Sequence, residues 1–171
     1  MTQIEIFREL YRHMEWADAA VWRAVLAQPA AASDEKILKF FYHLHLTQRA
    51  FLRLWQGAPR ETPYPEFTEA PPMMAWGKSW FPEAFAFLAT VTDEKLAPPM
   101  PVPWSKMVER RIGRPPGETT LGDTILQVAM HSQYHRGQIN ARLKELGGAP
   151  PLVDYIGWIW HGKPGAEWAE E

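Results

Sequence analysis

The stretch Gln127-Val-Ala-Met-His131-Ser-Gln-Tyr-His135-Arg-Gly-Gln138-Ile-Asn140 decides how the rest of the chain reads. Its apolar residues recur at helical spacing. Upstream, Thr120-Leu-Gly-Asp123 has the form of a capping box, and downstream Gly147-Gly148 and Pro150-Pro151 stop the helix. Ile125, Val128, Ala129, Ser132, Ile139, Leu143 and Leu146 mark the buried side, with His131 and His135 inside that arc and Arg136 pointing elsewhere. Residues at i and i+4 stand one above the other on a helix face, so the two imidazoles can converge on one metal ion. A neighbouring helix can supply a third ligand. Gly137 costs about 1 kcal/mol relative to alanine in mid-helix, which anticipates a close helix approach at that point.

Working back toward the N-terminus, Thr2-Gln-Ile-Glu5 is a second capping box. It opens a helix to about Leu26 carried by Ile4, Phe7, Tyr11, Met14, Val21 and Val25. Asp18 interrupts that apolar seam, and a carboxylate there needs a partner. It is read either as a partly exposed residue at the bundle edge or as a partner for a ligand histidine. Ser33 is placed as N-cap of the next helix, with Asp34 and Glu35 complementing its dipole. That helix runs to about Gln56 with Ile37, Phe40, Phe41, Leu44, Phe51 and Trp55 on its apolar face. His43 and His45 flank the stripe on opposite sides of Leu44, and periodicity leaves both open as core-facing groups.

Residues 58 to 72 hold five prolines and read as an irregular loop. A third helical segment from roughly Met73 to Val91 contains Pro82, which kinks or restarts it. The long connection after Thr92 includes Ala97-Pro-Pro-Met-Pro-Val-Pro103, which cannot be helical. Trp104 to Ile112 is read as a short extended piece, with Trp104, Met107 and Val108 favouring packing over disorder. Leu152 to Trp160 is an aromatic segment, and residues 161–171 are expected to form a loose polar tail. Four helical segments with a short first link and long later ones indicate an all-α four-helix bundle, one domain over residues 1–171, with a long proline-rich connection between helices 3 and 4.

Composition narrows the function classes. With 171 residues, 46% apolar and 22% charged, the chain can bury a core without disulfides. A formal charge of −2 and the lack of a basic block argue against nucleic-acid or anionic-membrane partners. There is no cysteine, which suits a reducing cytoplasm and excludes thiolate ligands. No signal sequence and no apolar run of about 18 residues is found. Nine tryptophans imply large aromatic surfaces and favour a homodimer.

Chemistry then rests on the histidines. Neutral imidazole suits zinc, nickel, iron or copper. Three histidines facing one interior leave positions for water or substrate, which is the catalytic pattern. A zincin helix needs glutamate directly after its first histidine, and Ser132 stands there. No Glu-x-x-His carboxylate site and no Gly-x-Ser-x-Gly nucleophile motif occurs. His13, among charges near the first helix, and His161, in the tail, have weak cases as ligands.

His131-Ser-Gln-Tyr-His135-Arg-Gly-Gln138-Ile, followed by Leu146-Gly147-Gly148-Ala-Pro150 and Asp154, resembles the DinB/YfiT-like superfamily of metal-dependent enzymes. Met14-Glu-Trp16-Ala17-Asp18 is similar to that family's Trp-Ala-Asn/Asp element, and Phe41-Tyr-His43-Leu-His45 through Leu54 to its first ligand helix. The resemblance covers nearly the whole chain. It implies a four-helix bundle, often a homodimer, with a three-histidine site for a divalent ion such as zinc, nickel or iron. Some members transfer low-molecular-weight thiols or use them as cosubstrates on small molecules. By position the implied ligands are His43, His131 and His135, with His43 preferred over His45 because it precedes Phe51 by eight residues. Asp18 is implied as an orienting group or base. The competing reading is a non-enzymatic stress-related or interaction bundle, in which the histidines are core residues or a structural metal clip closed by a fourth protein ligand.

Overall fold

Both capping boxes form. In the computed structural model, which describes residues 1–59 and 62–170, Thr2 accepts from the Glu5 amide and Thr120 from the Asp123 amide, and each acidic side chain answers the cap's own amide. They open the two longest helices, α1 (Gln3–Leu26) and α8 (Leu121–Glu145). Between them lie α2 (Pro29–Ala32), α3 (Glu35–Trp55), α4 (Ala70–Lys78), α5 (Trp80–Ala89), α6 (Asp93–Leu96) and α7 (Glu109–Ile112), and α9 (Tyr155–Trp160) follows. Among the described residues the fold is all-helical, with one isolated backbone bridge, Pro99 to Thr120, tying the ends of the long connection together.

Side-chain contacts set the helix directions. Tyr11 meets Ile125, Asp18 meets Arg136 and Gln28 meets Leu146, so α1 and α8 run parallel. Asp34 meets Arg142, Gln48 meets Ser132 and Trp55 meets Thr124, so α3 runs antiparallel to α8. The pair α4–α5 runs along α3, through Arg49 with Trp76 and Trp55 with Phe87, and antiparallel to α1, where Arg8 holds the carbonyls ending α5. α8 packs on both α1 and α3, and so do α4 and α5.

The core comes in two apolar clusters. One gathers Phe7, Tyr11, Met14, Phe51, Trp55, Trp80, Phe81 and Ile125; the other gathers Val21, Trp22, Ile37, Phe41, Met74, Ile139 and Leu143. Between the two clusters α1, α3 and α8 also bury polar side chains, among them Asp18, His45, Gln48, Ser132 and Arg136. That layer is what positions the site.

Several local expectations are corrected. Asp34, not Ser33, caps α3: its carboxylate accepts from the Ile37 amide at 3.0 Å, while the Ser33 hydroxyl donates back to the Pro29 carbonyl. The third segment restarts as Pro82 implied: it divides at Ser79, because Pro82 lacks the amide that would bond the Lys78 carbonyl and so falls in a new first turn. Of the stretch 58 to 72, residues 60 and 61 lie outside the described set, and the described ones are non-helical only as far as Glu69. The piece from Trp104 to Ile112 is a 3₁₀ turn, Ser105–Val108, running into α7 rather than a strand.

The segment after His161 is not loose through residue 170. Glu167 pairs with Arg23, Lys163 with Glu9 and the Trp158 indole with the Pro164 carbonyl, and Trp168 packs against both core clusters. Among the described residues a side chain at Gly137 would meet nothing within 4 Å, so the close helix approach expected there is not found. The close approach is at Gly77, where a Cβ would stand 2.4 Å from the His45 ring.

Candidate metal centre

Successive residues on a helix are separated by about 100°, so His43 and His45 diverge by roughly 200° and enter different surroundings. His45 is fully buried between α1 and α4. Its Nε2 accepts from the Trp22 indole at 3.0 Å and its Nδ1 donates to the Gln48 carbonyl oxygen at 2.8 Å, with Trp22 stacked on Phe41 beside it. Both ring nitrogens are used. Burial first, and the Arg49 charge, lower its pKa despite the opposing pull of Asp18 and Gln48, so it stays neutral.

His43 faces the other way, toward α8. Its ring centroid lies 5.1 Å from that of His131 and 4.8 Å from that of His135, and the two α8 rings are 4.4 Å apart. One nitrogen from each of the three lies within 4.8 Å of the others. The Nε2 atoms of His131 and His135 are 3.2 Å apart. Two nitrogens each about 2.1 Å from a common ion stand roughly 3.0–3.4 Å apart, so this pair already has a ligand spacing. His43 is exposed, His131 half-buried and His135 buried, so the cluster opens to solvent at His43.

All three rings are biased toward neutrality. Burial is the first cause in each case. For His131, the His135 and His43 rings add to it and bring its pKa from the ordinary 6.5 to about 4. For His135 the neighbouring His43 also lowers it while Gln138 opposes, and for His43 burial acts by itself. Neutral imidazoles with free lone pairs are the form that binds a metal. The Nδ1 atoms of both α8 histidines are buried without a hydrogen-bond partner. Among the described residues no carboxylate and no fourth histidine joins the cluster. The donor set therefore fits a divalent transition ion bound by three imidazoles with coordination positions left over.

Asp18 does not reach these histidines. It is fully buried and accepts from Arg136 at 2.6 Å and from the Gln48 amide at 3.0 Å, and Gln48 also donates to the Ser132 hydroxyl at 3.3 Å. A directed chain thus runs from the Trp22 indole through His45 and Gln48 to the carboxylate, which the Arg136 guanidinium neutralises. Arg136 was expected to point away from the core; it is 1% exposed and inside it. The unpaired carboxylate on the α1 seam was the sequence signal for this partner. Gln48 had none, because an amide on a helix flank looks like any solvated residue. His13 is buried and bonds the Val153 carbonyl at 2.9 Å, anchoring the segment before α9, and His161 is exposed.

A family model described as the DinB family matches residues 1–167 of the chain. Comparisons with curated proteins and with solved structures return no match.

Proposed function

The chain belongs to the DinB family, and from that premise we propose that it is a metal-dependent enzyme acting on a small molecule, with a low-molecular-weight thiol or water as the attacking group. One observation carries the proposal: three neutral-biased imidazoles from two helices converge on one point, and His43 leaves that point exposed on one side. His43, His131 and His135 would hold the ion. When bound, a divalent ion lowers the pKa of a coordinated water or thiol and makes the anion available near neutral pH.

The chain's own residues supply placement. Asp18, Gln48 and Ser132 hold Arg136 and the inner face of α8, and thereby fix the rotation of that helix about its axis. This turns His131 and His135 toward α3. Asp18 is read here as a positioning residue, since its oxygens are engaged by Arg136 and Gln48 and it is closed off from solvent. With no cysteine in the chain, any thiol must arrive as a separate molecule. The non-enzymatic alternative calls for a fourth protein ligand or for no metal at all; among the described residues no fourth ligand joins the three histidines, and metal analysis tests the second case.

Metal analysis of purified protein, followed by thiol-transfer and hydrolysis assays with glutathione, bacillithiol and mycothiol, tests the proposal. The expectation is one ion per chain, lost in His131→Ala and His135→Ala while helicity by circular dichroism is kept. Full metal retention in both variants would sink the site. Stoichiometric metal with no turnover of any thiol or ester substrate would sink the enzymatic part.

A further inference from the structure

The contact between the His131 and His135 Nε2 atoms poses a proton-placement question. At 3.2 Å two neutral imidazoles attract only if one nitrogen carries the proton and the other presents its lone pair. Nothing in the pair itself decides which is which. One turn farther along α8, Gln138 breaks the symmetry. Its amide nitrogen donates to the Tyr134 hydroxyl at 3.2 Å, which commits the other end of the amide, Oε1, to the remaining direction. That oxygen is buried and has no partner. The His135 Nδ1, three residues back on the same face, is likewise buried and has no partner. An unused acceptor and an unused ring nitrogen on adjacent turns complement each other. Leaving both unsatisfied costs more than pairing them, and a turn of the amide toward the ring would satisfy the two together.

We propose that Gln138 is a positioning residue that holds the proton of His135 on Nδ1. His135 then directs its Nε2 lone pair into the cluster, and His131 in the metal-free protein carries its proton on Nε2 and donates it to His135. The two α8 histidines are therefore opposite tautomers. His135 is set for coordination in advance, while His131 must move its proton from Nε2 to Nδ1 before Nε2 can serve as a ligand, with no net proton released by that ring. His43 has no part in this asymmetry. The inference rests on the metal reading only for its consequence on affinity; the tautomers belong to the metal-free chain.

Long-range proton–nitrogen NMR of the histidine rings in metal-free, nitrogen-15-labelled full-length protein tests this directly, at a pH where all rings are neutral. His135 is expected as the Nδ1–H form and His131 as the Nε2–H form. In Gln138→Leu the His135 signals should move toward a tautomer mixture, and in Gln138→Glu, which keeps the acceptor, they should not. Zinc or cobalt affinity should fall about 10- to 100-fold in Gln138→Leu, the range for losing a residue that orients a ligand histidine, and stay within a few-fold in Gln138→Glu. His135 protonated on Nε2 in the unaltered protein overturns the proposal, and needs no variant to be seen. So does Gln138→Leu with unchanged tautomers. If the tautomers are as stated but the unaltered protein binds no metal, the tautomer assignment stands and the metal reading falls. If metal binds and Gln138→Leu holds it equally well, the metal reading stands and the role of Gln138 falls.

Discussion

Truncating Asp18 to alanine strips the buried Arg136 of its counter-charge. The two side chains are 0% and 2% exposed, and their N···O distance is 2.6 Å. After truncation the Arg136 guanidinium keeps one bond, to Gln133, while its Nε already lacks a partner. The Gln48 amide loses its best acceptor as well. Breaking one side of a fully buried pair costs about 3–5 kcal/mol, because the remaining charge stays desolvated. Against a total stability of about 5–15 kcal/mol this is a large fraction, and it should lower Tm by about 6–20 °C at about 2–4 °C per kcal/mol. Urea unfolding followed by circular dichroism gives the number through the midpoint at constant slope.

The paired replacement Asp18→Leu with Arg136→Met is the decisive companion. Burying apolar groups of similar volume removes both desolvation costs, so the double variant should recover most of the loss. Metal affinity separates stability from placement. If the pair sets the rotation of α8, the double variant should refold yet bind metal more weakly than the unaltered protein. Asp18→Ala costing less than about 1 kcal/mol would refute the reasoning, since losses that small belong to solvated pairs.

The glycines give a contrast in sign. Gly137→Ala should stabilise by about 1 kcal/mol because its Cβ meets open space, whereas Gly77→Ala should destabilise, since its Cβ would fall 2.4 Å from the buried His45 ring; thermal melts of both variants read the two signs. His45→Ala leaves the Trp22 indole and the Gln48 oxygen buried and unpaired, for about 2–5 kcal/mol lost with metal stoichiometry unchanged, while His43→Ala should do the reverse; metal lost from His45→Ala and kept in His43→Ala would exchange their roles. Acid should weaken the metal-free protein. His131, lowered from 6.5 to about 4 chiefly by burial, binds fewer protons folded than unfolded, so its contribution is complete above about pH 6.5 and is lost as pH falls toward 4. His45 and His13, also lowered by burial, act in the same sense, and Asp34, lowered by Arg142, loses its contribution only below about 3.8. Urea midpoints from pH 7.5 down to 4.5 should decline, and a flat profile counts against neutral folded histidines.

Much of the fold was legible in the chain. Capping boxes, apolar spacing and the Gly-Gly and Pro-Pro stops are local signals, and local hydrogen bonding and burial enforce them, so the bounds of α1, α3 and α8 came close. The errors fell where a local signal competes with a distant contact. Ser33 and Asp34 both have N-cap chemistry, and it is Arg142, 108 residues away, that also engages Asp34. The prolines of the long connection exclude a helix for themselves but do not say what Trp104 to Ile112 does between them. The tail looked solvated residue by residue, yet Trp168 and the Glu167–Arg23 pair hold it against the bundle.

By itself, the sequence determined an all-helical chain, the pairing of His131 with His135 on one helical face, and the exclusion of zincin and thiolate chemistry, because each follows from residue identity and spacing along a single helix. Apolar spacing left His43 and His45 equivalent and only the family resemblance favoured His43; the tertiary structure brings His43, not His45, beside the α8 pair, because which neighbouring helix each one meets depends on packing. Packing α1 parallel to α8 buried Arg136 against Asp18, and packing α4 against α3 at Gly77 enclosed His45 among Trp22, Phe41 and Gln48. With those two polar groups taken into the core, His43 was left on the α8 side, where it joins the pair that first marked the chain.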